Sequence, residues 1–183
     1  METSGGWSTE IDDELAGFIA EQTSFFLATA NAAGQPYIQH RGGPPGFLRV
    51  LGPQQLGFAD FAGNRQYISL GNLSENPKVH LFLIDYETRQ RVKIWGEARV
   101  VTDDRALLSR LVVEGYRAKV EQAIVIDVRA WDANCPQHIP QRFEAADVAL
   151  VLERRDQRIA ELEGKVAELE RTIATLRRSP PRG

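Results

Sequence analysis

Two glycine-rich stretches hold the side chains best suited to chemistry. His40-Arg41-Gly42-Gly43 follows a strand-like run, and Gly63-Asn64-Arg65-Gln66 leads into a predicted helix. Glycine lets backbone amides close on a ligand, a helix N-terminus offers unpaired N–H groups, and an arginine fork takes two phosphate oxygens at once. Together they point to a phosphate monoester site. By spacing alone, ordinary glycine turns beside an arginine account for the pattern equally well. Asn134, Cys135, Gln137 and His138 cluster around Pro136 and Pro140. These prolines exclude ordinary helix and predict a rigid loop with free polar side chains. A histidine there can pass a proton, or simply bond to local backbone. Cys135 has no base beside it in the sequence and reads as a small buried residue rather than a nucleophile.

Composition narrows the chemistry further. Among 183 residues, 22 basic and 25 acidic side chains leave a formal charge of -3, so no global field draws nucleic acid or an anionic membrane. One cysteine excludes an intramolecular disulfide framework, and three scattered histidines lack zinc-ligand spacing. The first residues lack a basic stretch followed by an apolar one, and no later run reaches the roughly 18 apolar residues of a membrane span. A reduced cytoplasmic setting, without nucleic acid or membrane, is the expectation.

The elements that must position these groups follow from periodicity. Thr9 is placed to cap a helix over Glu10 to Glu21, with Ile11, Leu15, Phe18 and Ile19 at helical spacing. Short strand-like runs follow at Ser24 to Ala30, Pro36 to His40, Phe47 to Leu51, Gln55 to Asp60, Val79 to Tyr86 and Arg91 to Val101. Turns between them suggest an antiparallel meander. A short helix is predicted from about Arg65 to Leu73, another from Asp103 to about Gly115 with Thr102 as cap, and a last strand in AIVIDVRAWDAN. Few helices and six to seven strands indicate a mainly β (α+β) protein built on a small closed or split antiparallel barrel.

From Ala145 the period changes to 3.5. Ile159, Val166 and Ile173 take a positions and Leu162, Leu169 and Leu176 take d, with Val148 and Leu152 extending the seam upstream past Arg155 at one d position. β-branched a with leucine d predicts a parallel two-stranded coiled coil, and Arg158 and Lys165 at g would lie opposite Glu163 and Glu170 of a partner. The competing reading is an amphipathic helix folded back on its own barrel. The expected organisation is therefore a globular domain over residues 1–144, a coiled-coil helix over 145–178 and a disordered tail over 179–183.

The run from GQPYIQHR through GNRQYISLGNLSENPKVHLFL to WGEARVV resembles the flavin-binding core of the pyridoxamine 5'-phosphate oxidase-like superfamily, over roughly Phe18 to Val101. That resemblance implies a split β-barrel, a homodimer and FMN held in two clefts at the dimer interface. It places Asn64, Arg65 and Gln66 at the FMN phosphate, and Gln39, His40 and Arg41 beside the isoalloxazine ring and ribityl chain. It places Phe58, Ala59 and Asp60 on a strand giving backbone contacts beneath the ring. Arg91 and Lys93 fall on the strand that runs near the flavin pyrimidine, where a cation stabilises negative charge on reduced flavin. As the solvated face of an alternating strand they are explained equally well.

After Val101 the sequence departs from pyridoxamine 5'-phosphate oxidase itself, which holds its substrate with arginine and histidine on a C-terminal strand. The NCPQHIPQRF stretch instead resembles an uncharacterised flavin-nucleotide-binding branch, in which this segment reaches toward the partner's FMN. Asn134 and Gln137 then become flavin contacts, and His138 a candidate proton donor to reduced flavin or substrate. Trp95, among Val92, Ile94 and Ala98, is expected to pack in the barrel, whereas Trp131 suits either a lid over the cofactor or an anchor for the crossing loop. The expected function is an FMN-dependent oxidoreductase acting on a small substrate. The alternatives are a flavin-binding or sensing module without catalysis, and a related barrel using F420 or haem, with His40, His80 and His138 as the histidines available to haem iron.

Overall fold

A computed structural model describes residues 7–61, 67–134 and 136–178. The chain divides into two compact units, Met1–Gln141 and Arg142–Gly183. In the first, α1 (Asp13–Glu21) precedes β1 (Ser24–Ala30), β2 (Pro36–Gly42), β3 (Leu48–Gly52) and β4 (Gln55–Phe61). Then come α2 (Ile68–Glu75), β5 (Lys78–Asp85), β6 (Gln90–Val101), α3 (Arg105–Leu111) and β7 (Val120–Asn134). The second unit holds α4 (Ala145–Arg178).

All seven strands join one antiparallel sheet in the order β2-β1-β5-β6-β7-β4-β3. This corrects the expected meander. Consecutive strands pair within β1–β2, β3–β4 and β5–β6–β7, but the chain does not run on from β2 to β3 or from β4 to β5, because the β3–β4 hairpin docks beyond β7 rather than beside β2. The sheet is open, as in a split barrel. Its apolar alternation points inward: Phe25 and Leu27 of β1, Leu81 and Leu83 of β5, Val92 and Ile94 of β6 and Ile124 and Ile126 of β7 share one core.

That core is sealed at the split by side chains. Arg41 on edge strand β2 donates to Asp60 on β4 at 2.5 Å, and Gln122 of β7 donates to the second oxygen of Asp60 at 3.0 Å. Arg41 and Asp60 side chains are only 16% and 8% exposed. No backbone ladder joins β2 to β4, so this pair spans strands that lie five places apart in the sheet. Phe58, also on β4, meets Phe25 of β1 edge-on at 5.3 Å, which packs the same closure with apolar surface.

Three helix boundaries move from their predicted positions. α1 starts at Asp13, not Glu10, because Asp12 rather than Thr9 caps it, accepting from the Leu15 amide at 2.8 Å. The residues before it are drawn into extended pairing: Ser8 forms a bridge with Trp131, and the Ile11 amide donates to the Pro53 carbonyl at 2.7 Å. α3 is likewise capped by Asp104 through the Leu107 amide, not by Thr102, and ends at Leu111 where Val112 turns extended. The described part of α2 begins at Ile68 after Tyr67 in the left-handed region, and its predicted start at Arg65 lies outside the described residues, as does the 179–183 tail.

One glycine has a clear steric reason. The β6–β7 register slips between Trp95 and Gly96, and a Cβ on Gly96 would stand 2.7 Å from the Asp127 carbonyl oxygen. The bulge there thus requires glycine. Breaking one half of a buried ion pair leaves an uncompensated charge. Asp60→Ala is expected to lose about 3 kcal/mol of folding stability in urea titrations, while Arg41→Met combined with Asp60→Leu recovers most of that loss.

Candidate functional site

The predicted flavin strand β2 splits its residues between the sheet's two faces. Arg41 pairs in register with Phe25 and Gln39 with Leu27, residues that point into the core. Both inward groups have protein partners: Arg41 binds Asp60, and Gln39 accepts from the Ser69 hydroxyl of α2 at 3.0 Å. His40 stands on the opposite face with Ile38, edge-on to Phe26 at 5.7 Å. β2 therefore does not present Gln39, His40 and Arg41 as one surface.

On β4, Phe58, Ala59 and Asp60 are all buried. Their side chains belong to the core, to a smaller cluster with Leu111 and Ala123, and to the Arg41 pair respectively. The ladder between β4 and β3 ends at Phe58, whereas that with β7 continues to Phe61. One backbone edge of Ala59, Asp60 and Phe61 thus extends beyond the last β3 pairing, beside residues 62–66. Asn64, Arg65 and Gln66 lie outside the described residues.

The outer face carries the second group of predicted contacts. Alternation turns Arg91, Lys93 and Trp95 of β6 away from the core residues Val92 and Ile94. In register, Arg91 meets Asn134, Lys93 meets Asp132 and Trp95 meets Ala130 on β7. The structure thus brings Arg91, Lys93 and Asn134 to neighbouring positions at one end of the β6–β7 ladder. Arg91 Nε is buried with no hydrogen-bond partner among the described residues, a donor left unspent by folding.

Trp95 corrects the expectation of barrel packing. It lies on the outer face, stacked between Trp7 at 4.4 Å and His80 at 4.7 Å, each pair inclined by 21°. The physical reason is the two-residue period of the strand, which opposes Trp95 to Val92, Ile94 and Ala98. Trp131 anchors the N-terminal lead-in. It is buried, exchanges backbone hydrogen bonds with Ser8 at 3.1 and 2.8 Å, and its indole N–H donates to the Glu10 carbonyl at 2.7 Å.

Residues 136–141 form a loop, with Gln137 and His138 exposed and Ile139 buried between them and Pro140. His138 takes a left-handed backbone, φ 64°, and the Ile139 amide returns to the Pro136 carbonyl at 3.3 Å. Gln141 donates to the Glu87 carbonyl at 3.0 Å, tying the loop's end to the β5–β6 turn. Cys135 lies outside the described residues. Among the described residues no cluster of acidic, histidine or cysteine side chains could hold a metal, and no helix is long and apolar enough to cross a membrane.

Trp7 was not anticipated from sequence, and His80 was named there only as a histidine available to haem iron. The alternation Val79, Leu81, Leu83 in β5 carries the signal for His80, since it sets His80 on the face of Lys93. Trp7 sits in an opening stretch with no periodicity to reveal it. Partial burial, then the nearby Lys93 ammonium, lower the His80 pKa from its ordinary value.

A sequence model of the pyridoxamine 5'-phosphate oxidase family matches residues 11–138. Among solved structures, the chain is similar to HupZ of Group A Streptococcus, at 19% identity and TM-score 0.55, over 73% of this chain and 99% of that one. A putative pyridoxamine 5'-phosphate oxidase from Lactobacillus delbrueckii aligns at 18% identity and TM-score 0.52, over 68% of this chain and 95% of that chain. An FMN-binding protein from Syntrophomonas wolfei aligns at 14% and 0.51, over 68% and 88%. At such identities these structures share the fold. No curated protein matches the sequence.

A histidine whose pKa is lowered on folding binds its proton more weakly folded than unfolded, so its contribution is present above about pH 6.5 and is lost as pH falls below that. Between pH 7.5 and 5.5 the urea midpoint is expected to fall less in His80→Gln than in the unchanged protein. Parallel curves for the two would contradict the assignment.

Proposed function

Because the chain belongs to the pyridoxamine 5'-phosphate oxidase family, we propose that it is an FMN-binding flavoprotein acting as an FMN-dependent oxidoreductase on a small substrate. The observation that carries this reading is the placement of Arg91 and Lys93 side by side on the outer face of β6, with Arg91 paired in register to Asn134 of β7. A cofactor whose ring becomes negatively charged on reduction is suited by convergent cationic donors on a half-buried sheet face. The residues present fit such a group. The shared fold with an FMN-binding protein from Syntrophomonas wolfei points the same way.

When bound, FMN supplies the electron transfer. In this proposal Asn64, Arg65 and Gln66 hold the phosphate, with Arg65 as the fork on its oxygens. The backbone edge of Ala59 and Asp60 leads into that grip. Arg91 and Lys93 orient the polar edge of the ring, with Asn134 and Gln137 as further hydrogen-bonding partners. His138, exposed on a loop, passes a proton to substrate. Arg41, Gln39, Phe58 and Asp60 are assigned a supporting role, holding the barrel beneath the site, and His40 stands away from them on the outer face. A second copy completes the cleft. The single cysteine suits a reducing cytoplasm.

The decisive experiment is the absorption spectrum of the purified protein with mass identification of the released cofactor. FMN is expected. A deazaflavin or haem spectrum would replace it with another ligand, and FMN that never turns over with NADH or NADPH would leave a binding module. Arg65→Ala is expected to weaken FMN binding by at least about tenfold, the loss of one charge-assisted hydrogen bond. Full retention of FMN in that variant would remove the phosphate site.

A further inference from the structure

We infer that α4 pairs with the same helix of a second copy of this chain as a parallel, in-register two-stranded coiled coil. Every residue from 145 to 177 is exposed. The seam residues Ile159, Leu162, Val166, Leu169, Ile173 and Leu176 are each 44% to 69% exposed, a continuous apolar stripe on one helix. An isolated helix draws most of its stability from burying such a stripe, so this one calls for a partner.

The stripe selects its partner by width. Outside a and d, the positions between Ile159 and Leu176 are charged or small, including Glu161, Gly164, Ala167, Glu168 and Arg171. A stripe two positions wide in seven matches the seam of a second helix, and is too narrow for a sheet or a broad globular surface. From Ile159 to Leu176, Ile, Val and Ile at a with leucine at the three d positions favour two strands over three or four.

Edge charges select orientation and register. In a parallel pair, Arg158 and Lys165 at g face Glu163 and Glu170 at e of the other helix, giving four opposite-charge contacts by symmetry. An antiparallel pair sets g against g and e against e, placing base on base and acid on acid. A slip of one heptad sets Lys165 against Arg177 and forfeits a seam layer. Within one helix Glu161, at c, holds Arg158 at 2.5 Å and Lys165 at 2.7 Å, an intrahelical pairing with which the partner's Glu163 and Glu170 would compete for both cations. Arg155 at d ends the unbroken seam, with its charge met by Asp156 at 3.3 Å.

Cysteine cross-linking in the full chain tests this independently of any dimer formed by the barrel. On a Cys135→Ser background, Ile173→Cys, at a, is expected to form a disulfide-linked dimer under mild oxidation, and Gly164→Cys, at the outer f position, is not. Adding Glu163→Lys and Glu170→Lys should lower the linked fraction at 173 several-fold. Adding Arg158→Glu and Lys165→Glu as well should restore it. No linkage at 173, as when the helix folds back on its own barrel, or equal linkage at 173 and 164, overturns the inference. Equal linkage in the double and quadruple charge variants overturns the edge pairing.

Discussion

The ion pair between Arg41 and Asp60 is the constraint on which the barrel's architecture turns. A seven-stranded sheet with two free edges has no backbone bonds across its opening, so something else must hold its ends together. Here a guanidinium and a carboxylate do so from the first and sixth strands of the sheet, with Gln122 completing the carboxylate's bonding. Two buried charges are costly to desolvate, and their mutual attraction offsets that cost here, although Arg41 Nε keeps no hydrogen-bond partner among the described residues. The apolar packing of Phe25 on Phe58 then fills the space the pair encloses.

Once the sheet is rolled, its two faces take different work. The inner face is apolar almost throughout and absorbs Gln39 and Arg41 into internal bonds. The outer face keeps what the core rejects: Arg91 and Lys93, the Trp7–Trp95–His80 stack, and His40 beside Phe26. A strand's period of two residues thus decides which cations remain available to a ligand. Adjacent residues Gln39, His40 and Arg41 fall on both sides of that division.

Much of this was legible in the sequence. Alternation located all seven strands to within a few residues, and the resemblance to flavin-binding split barrels supplied the fold that periodicity alone left between closed and split. Strand order was not legible, because the docking of the β3–β4 hairpin beyond β7 rests on contacts such as Phe58 against Ile124, far apart in the chain. Helix starts were misplaced where two capping residues competed, Thr9 against Asp12 and Thr102 against Asp104, and tertiary bonds to Ser8 and Ile11 settled the first. Trp95 was misread because its apolar character outweighed its strand parity. The outward cations Arg91 and Lys93 were legible, since the same parity places them.

The N-terminal strap has a consequence in time. Trp131 donates to Glu10 across 121 residues, and Ser8 pairs with the same tryptophan. The segment from Ser8 to Ile11 therefore cannot reach its final place until β7 exists. During synthesis the amphipathic first helix emerges early, with Leu15, Phe18 and Ile19 unburied, and waits for nearly the whole barrel before its lead-in can lock. Closing so long a loop makes this strap a late step of folding. The barrel is in this sense finished from its beginning.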